Sequence, residues 1–283
     1  MSLTPFGQDK FITVNGLQLH YVEWGTPGNP PMILLHGFQS NAHTWDTLSR
    51  VLADAYYVLA LDQRGHGDTS WAPDGNYTSD VFISDIVRFI DALHLGPTLL
   101  VGHSMGGRHA AMVAAEYPDK VTKVVIVDTA AEIPPERRAM MARQPESEAA
   151  PVLEVFDTFE EVIQNGRAQY PLTPEEELRH ANYHNLYRGA DGKWRWRWDP
   201  TLLAQRRTNR GQQLDLYTYL RRMQCPTLLI RGQQSPLLTS DVARKMVDSL
   251  PHGRMVEIAA AAHTVNTDNA QEFNAMTAAF LKE

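Results

Sequence analysis

Gly102-His103-Ser104-Met105-Gly106-Gly107 sits between a short apolar run, Thr98 to Val101, and a helical pattern that Pro118 stops after Tyr117. A buried strand that must turn sharply into a helix is the context in which Gly-x-Ser-x-Gly presents a nucleophile. The turn is crowded, so a side chain flanking the serine would collide with the neighbouring strand and helix. Ser104 is thereby pushed out above the sheet at a helix start, where backbone NH groups face developing negative charge.

Outward from this turn, short apolar runs alternate with helical patterns, the signature of strand-helix-strand units in a mainly parallel sheet. Strands are expected over Leu17 to Trp24, Pro31 to Leu35, Tyr56 to Leu61, Thr98 to Gly102 and Val121 to Asp128. Helices are expected over Ser79 to Leu93 and from Ser104 to about Tyr117. The rhythm breaks at about 132–215, which carries Pro134-Pro135, many charges and no obvious buried strand. It resumes with a strand at Pro226 to Arg231, a helix near Ser240 to Leu250, a strand around Met255 to Ile258 and a closing helix Ala270 to Leu281. The expected organisation is an α/β core of residues 1–131 and 216–283 with an inserted helical cap at 132–215.

A serine hydroxyl is a poor nucleophile until a base takes its proton. Of the 11 histidines, His263 lies just past the Met255 to Ile258 strand, where a loop would overhang the Ser104 turn. His36, His66 and His252 sit in glycine-rich turns and read as structural or solvated. The base needs a carboxylate to hold its tautomer. Asp128, at the end of the strand after the Ser104 helix, is assigned that place; the alternative is Asp241, beyond Arg231-Gly232, which reads as a helix-opening cap. His36-Gly37-Phe38 follows the strand that supplies a second oxyanion donor, so the donors would be the NH groups of Phe38 and Met105.

Asp62-Gln63-Arg64-Gly65-His66-Gly67 lacks the lysine and spacing of a phosphate-binding loop, so Asp62 and Arg64 are read as tying loops by ion pairing. Lys193-Trp194-Arg195-Trp196-Arg197-Trp198 alternates with period two, and an extended segment would put its indoles on one side and its cations on the other. Trp194, Trp196 and Trp198, with His103, are candidates to line the substrate pocket, and Arg195 or Arg197 to meet a substrate carboxylate. His180 and His184 have the i, i+4 spacing of a metal pair, but Ala181 stands where a zinc protease carries glutamate, and the sequence offers no evident third ligand. No metal and no cofactor are expected.

The 283 residues carry 26 Lys+Arg against 33 Asp+Glu, a formal charge of −7, which argues against non-specific nucleic-acid or anionic-membrane binding. At 43% hydrophobic residues the chain can bury a sizeable core. Its single cysteine, Cys225, excludes an internal disulfide and a multi-thiolate metal site. With no long apolar window and no leader-like opening, the protein is expected in the cytoplasm, as a monomer or homodimer acting on a small molecule.

These motifs, in this order, resemble the α/β-hydrolase superfamily over nearly the whole chain apart from the interval 132–215. The resemblance implies a fold with a mostly parallel sheet and a serine hydrolase acting through an acyl-enzyme on a small ester, lactone or amide. Most such members carry their acid after the Arg231-Gly232 strand, where this chain has Gln233, Gln234, Ser235 and Pro236. Members similar to acetamidomethylene-succinate hydrolase, ring-opening dioxygenases and some dehalogenases use an acid after the preceding strand, which matches Asp128. Gly107-Arg108-His109 and Arg231 to Ser235 look most like the first of these. Dehalogenases and epoxide hydrolases would need Asp in place of Ser104, and ring-opening dioxygenases a His in place of Met105. A cofactor-free lyase or dioxygenase, a carbon-carbon bond hydrolase and a non-catalytic receptor on the same scaffold stand as alternatives.

Overall fold

The buried strands are apolar on both sides, and each side feeds a different layer. In a computed structural model, which describes residues 7–132, 154–208 and 215–283, Met32 and Leu34 pack with Trp45, Val58, Ala60 and Phe273. Ile33 and Leu35, one residue out of phase, pack with Leu59, Leu61, Ile86 and Phe89 on the other face. The period of two along a strand thus divides one apolar run between two cores. Burying a side chain of this size contributes about 1.5–3 kcal/mol, so the sheet is held from both sides.

Eight strands form the main sheet: β1 (Gln8–Val14), β2 (Leu17–Trp24), β3 (Pro31–Leu35), β4 (Tyr57–Leu61), β5 (Thr98–His103), β6 (Val121–Val127), β10 (Thr227–Gly232) and β11 (Gly253–Ile258). Their order is β1-β2-β4-β3-β5-β6-β10-β11. The β1–β2 and β2–β4 pairings are antiparallel; all others are parallel. The helices α1 (Asp46–Leu52), α2 (Ser79–Ala92) and α3 (Met105–Glu116) belong to the first half of the chain. α7 (Leu216–Arg222), α8 (Ser240–Asp248), α9 (Val265–Asp268) and α10 (Ala270–Lys282) follow in the last third. The expected parallel strands are all present. β1 was not expected: its largely exposed face leaves only a weak apolar alternation, and it is held as an edge strand by β2.

Between β6 and α7 lies a lobe that differs from the all-helical expectation. It contains α4 (Phe159–Gln169), α5 (Glu175–Asn185) and α6 (Thr201–Thr208). It also contains β7 (Val155–Phe156), β8 (Leu186–Arg188) and β9 (Trp194–Trp196), which form a three-stranded antiparallel sheet in the order β7-β9-β8. Strands of two or three residues are too short for periodicity to announce them. Pro134-Pro135 lies outside the described residues. No helix among the described residues is long and apolar enough to cross a membrane.

Candidate active site

Three parallel strands, β5, β6 and β10, end side by side, and the site is built from the loops that leave them. At the end of β5, Ser104 adopts φ 51° and ψ −108°, a left-handed conformation that costs a non-glycine residue of order 1–3 kcal/mol. This explains why α3 begins at Met105 and not at the serine. The neighbouring glycines are required by close approach. A Cβ on Gly102 would lie 2.3 Å from the Gly106 carbonyl oxygen, and one on Gly106 would lie 2.2 Å from that of Leu35. The turn is anchored from β6, where Val127 O accepts from Ser104 N at 2.9 Å and Thr129 Oγ1 donates to Ser104 O at 3.0 Å.

Asp128 ends β6 with φ 40°, and its side chain is wholly buried. One oxygen, Oδ1, accepts from His263 Nδ1 at 2.9 Å and from Ser235 Oγ at 2.6 Å. The other, Oδ2, accepts from Gly232 N at 2.9 Å. The carboxylate is thus saturated by residues more than a hundred positions away. His263 must carry its proton on Nδ1 to make this bond, which leaves Nε2 as the basic nitrogen. Its side chain keeps 25% of its exposure. Asp241 takes no part. Its carboxylate is exposed and pairs with Arg244 at 3.4 Å, and the cap of α8 is the Thr239 side chain.

His103 holds His263 from the other side. Its Nε2 donates to His263 O at 2.8 Å, and the two rings lie 4.7 Å apart. Burial, followed by the charge of His263, pushes the His103 pKa down to about 3, so the ring is a neutral strut. Expected as a pocket residue, His103 is a buried support joining the serine turn to His263.

The His36–Phe38 loop lies over the same turn. A Cβ on Gly37 would sit 3.5 Å from Ser104 Cβ. The loop is clamped by His36, whose Nδ1 donates to Gly37 O at 2.7 Å while Nε2 accepts from Gln63 N at 3.0 Å. Gln63 Nε2 donates to His36 O and Gln63 Oε1 accepts from His109 Nδ1, both at 2.7 Å. Met105 N is the first NH of α3 and has no acceptor within its own helix.

The aromatic-basic segment divides. Trp198 is buried with Tyr77, Phe82 and Leu202, and Phe38, Met105 and Trp196 pack against that cluster. Trp196 and Trp198 therefore belong to the same cluster as Phe38 and Met105. Trp194 does not: its ring lies 5.4 Å from that of Phe159 in the lobe's own core. Both arginines are also committed elsewhere. Arg195 pairs with Asp191 at 2.6 and 2.8 Å, and Arg197 pairs with Asp68 and donates to Leu186 O at 2.8 Å. In the β9 hairpin an acceptor stands beside each guanidinium, which the period-two pattern by itself does not show.

Sequence reasoning passed over Ser235. It stands in the loop after β10, and its hydroxyl donates to Asp128 at the end of the neighbouring strand.

A family model for the alpha/beta hydrolase fold matches residues 30–270. The chain belongs to this family. It is 32% identical over 262 residues, 91% of each chain, to 2-(acetamidomethylene)succinate hydrolase of Mesorhizobium japonicum. It is 31% identical over 255 residues to an esterase of Mycobacterium tuberculosis, covering 87% of this chain and 80% of the esterase. A crystal structure of E-2-(acetamidomethylene)succinate hydrolase superposes with a TM-score of 0.86 at 29% identity, covering 98% of this chain and 100% of that one.

Proposed function

We propose that the protein is a serine hydrolase that cleaves a small carboxylic ester, lactone or amide, with Ser104, His263 and Asp128 as its triad. The observation that carries this is the 2.9 Å bond from His263 Nδ1 to the buried Asp128 carboxylate beside a strained serine turn. His263 Nε2 takes the Ser104 proton as Oγ attacks the carbonyl carbon, and the oxyanion accepts from the NH groups of Phe38 and Met105. Imidazolium then protonates the leaving oxygen or nitrogen as its bond to carbon breaks. A water, deprotonated by the same nitrogen, attacks the acyl group; as the carbon–Oγ bond breaks the imidazolium returns its proton to Oγ, restoring Ser104 and neutral His263. Among the described residues the Oγ–Nε2 hydrogen bond is not yet made, as is common before substrate binds.

The esterase and the 2-(acetamidomethylene)succinate hydrolase among its relatives support this substrate class. Trp196 and Trp198 form the apolar wall, and the lobe that carries them covers the site. The test is turnover of short p-nitrophenyl esters. Ser104→Ala and Asp128→Asn are each expected to lose about 10³–10⁴-fold in kcat, and Asp241→Asn to match the wild type. Activity that survives Ser104→Ala would instead support a lyase or dioxygenase using the same histidine and acid.

A further inference from the structure

Three histidines and an aspartate meet where the lobe rests on the core, remote in sequence from the serine turn. His43 and Asp46 come from the 3-10 turn Ala42–Trp45 and the start of α1; His180 and His184 come one turn apart from α5. A ligand atom from each of His43, Asp46 and His184 lies within 4.8 Å of the other two. The His43 and His184 rings stack at 3.6 Å. Four-coordinate zinc with nitrogen and oxygen ligands needs neighbouring donors about 3.3 Å apart, so the donors must draw together on binding.

Asp46 supplies an independent observation. The residue is 9% exposed, and its Oδ1 is buried with no hydrogen-bond partner among the described residues. Its other oxygen, Oδ2, is held by His43 Nδ1 and His180 Nε2, each at 3.0 Å. An orphaned carboxylate oxygen in a buried site costs about 1–3 kcal/mol, and a cation removes that cost. His184 has no hydrogen bond among the described residues.

We propose that His43, Asp46 and His184 bind a divalent transition ion of the Zn²⁺ class, with His180 as the fourth ligand or as the donor that steadies Asp46. Imidazole and carboxylate suit zinc and its neighbours, whereas calcium and magnesium prefer all-oxygen sites. Because two ligands belong to the core and the others to α5, the ion pins the lobe to the core. It reinforces the contact in which Asn41 Nδ2 donates to Asn185 Oδ1 at 2.6 Å and Asn185 Nδ2 to Gln39 O at 3.0 Å. The sequence showed only the His180–His184 pair; the remaining ligands stand about 140 residues earlier.

The test titrates the metal-free full chain with Co²⁺, read by its visible d–d absorption, followed by competition with Zn²⁺. One Co²⁺ per chain, displaced by Zn²⁺, is expected. His184→Ala and Asp46→Asn should each weaken binding at least about tenfold, and His252→Ala, at an exposed turn, should leave it unchanged. Zn²⁺ should raise the thermal midpoint of the wild type and not that of His184→Ala. If Asp46→Asn fails to fold, the partly exposed His184 carries the test alone. Absence of stoichiometric binding, or equal binding by wild type and His184→Ala, would overturn the proposal.

Discussion

Two buried aspartates in this molecule each grip a histidine, and only one of the two histidines has anywhere to send a proton. Asp62 accepts from His20 Nδ1 at 2.7 Å, from Asp68 N at 2.9 Å and from Ala42 N at 2.6 Å. His20 is closed at its far side too, where Nε2 meets Asp9 at 3.2 Å, and the residue is 1% exposed. Asp128 is equally saturated, yet the ring it holds keeps its second nitrogen unbonded among the described residues and a quarter of its surface open. The same residue pair is a rivet when both ends of the imidazole are satisfied, and leaves a nitrogen open to accept a proton when one is not.

Replacing the two acids separately should break the comparison most sharply. Asp128→Asn is expected to lose about 10³–10⁴-fold in kcat. Asp62→Asn should cost on the order of 3 kcal/mol in urea unfolding, since it strips a buried pair of its charge, while the folded enzyme keeps most of its kcat. A large kcat loss in Asp62→Asn without destabilisation would mean that the rivet is part of the chemistry.

The pH dependence of the rivet gives a smaller effect with a definite sign. Burial works against charge on His20, but the hydrogen bonds and charges of Asp62 and Asp9 outweigh it and raise its pKa above 6.5. A histidine whose folded pKa is raised contributes stability that is fully present below its unfolded value and is lost as pH rises through the folded one. The stability gap between wild type and His20→Gln, from urea melts, should therefore be widest below about pH 6.5 and narrow at alkaline pH. A gap that widened with pH would reverse this assignment.

The smallest effect is expected at the lobe's surface. Arg195→Ala breaks a solvent-exposed pair with Asp191, and such pairs are worth little. Its KM and thermal midpoint should match the wild type; a raised KM for an anionic ester would return Arg195 to the substrate.

The parallel strands and the serine turn were readable because each is written locally, in an apolar run or a glycine spacing. Even there the edge strand Gln8–Val14 escaped, for its pattern is held by β2 and not by its own residues. The candidate site was readable where a residue stands at the end of a recognisable strand, as Ser104 and Asp128 do. It was obscure where a partner crosses the chain: Ser235 and Gly232 on Asp128, His103 on the His263 carbonyl, Asp191 on Arg195. Short strands in the lobe were invisible because three residues carry no period.

The sequence by itself determined the sheet, the sharp turn at Ser104 and the family to which the chain belongs, since periodicity and close-packed glycines act over a few residues. Only the tertiary structure decided that Asp128 rather than Asp241 meets His263, that Trp198 rather than Trp194 lies in the cluster against which Met105 packs, and that His43 and Asp46 stand beside the His180–His184 pair. Those outcomes depend on which loops the sheet order brings to one edge, and a hydrogen bond of 2.9 Å between residues 135 apart leaves no mark on the pattern of either segment.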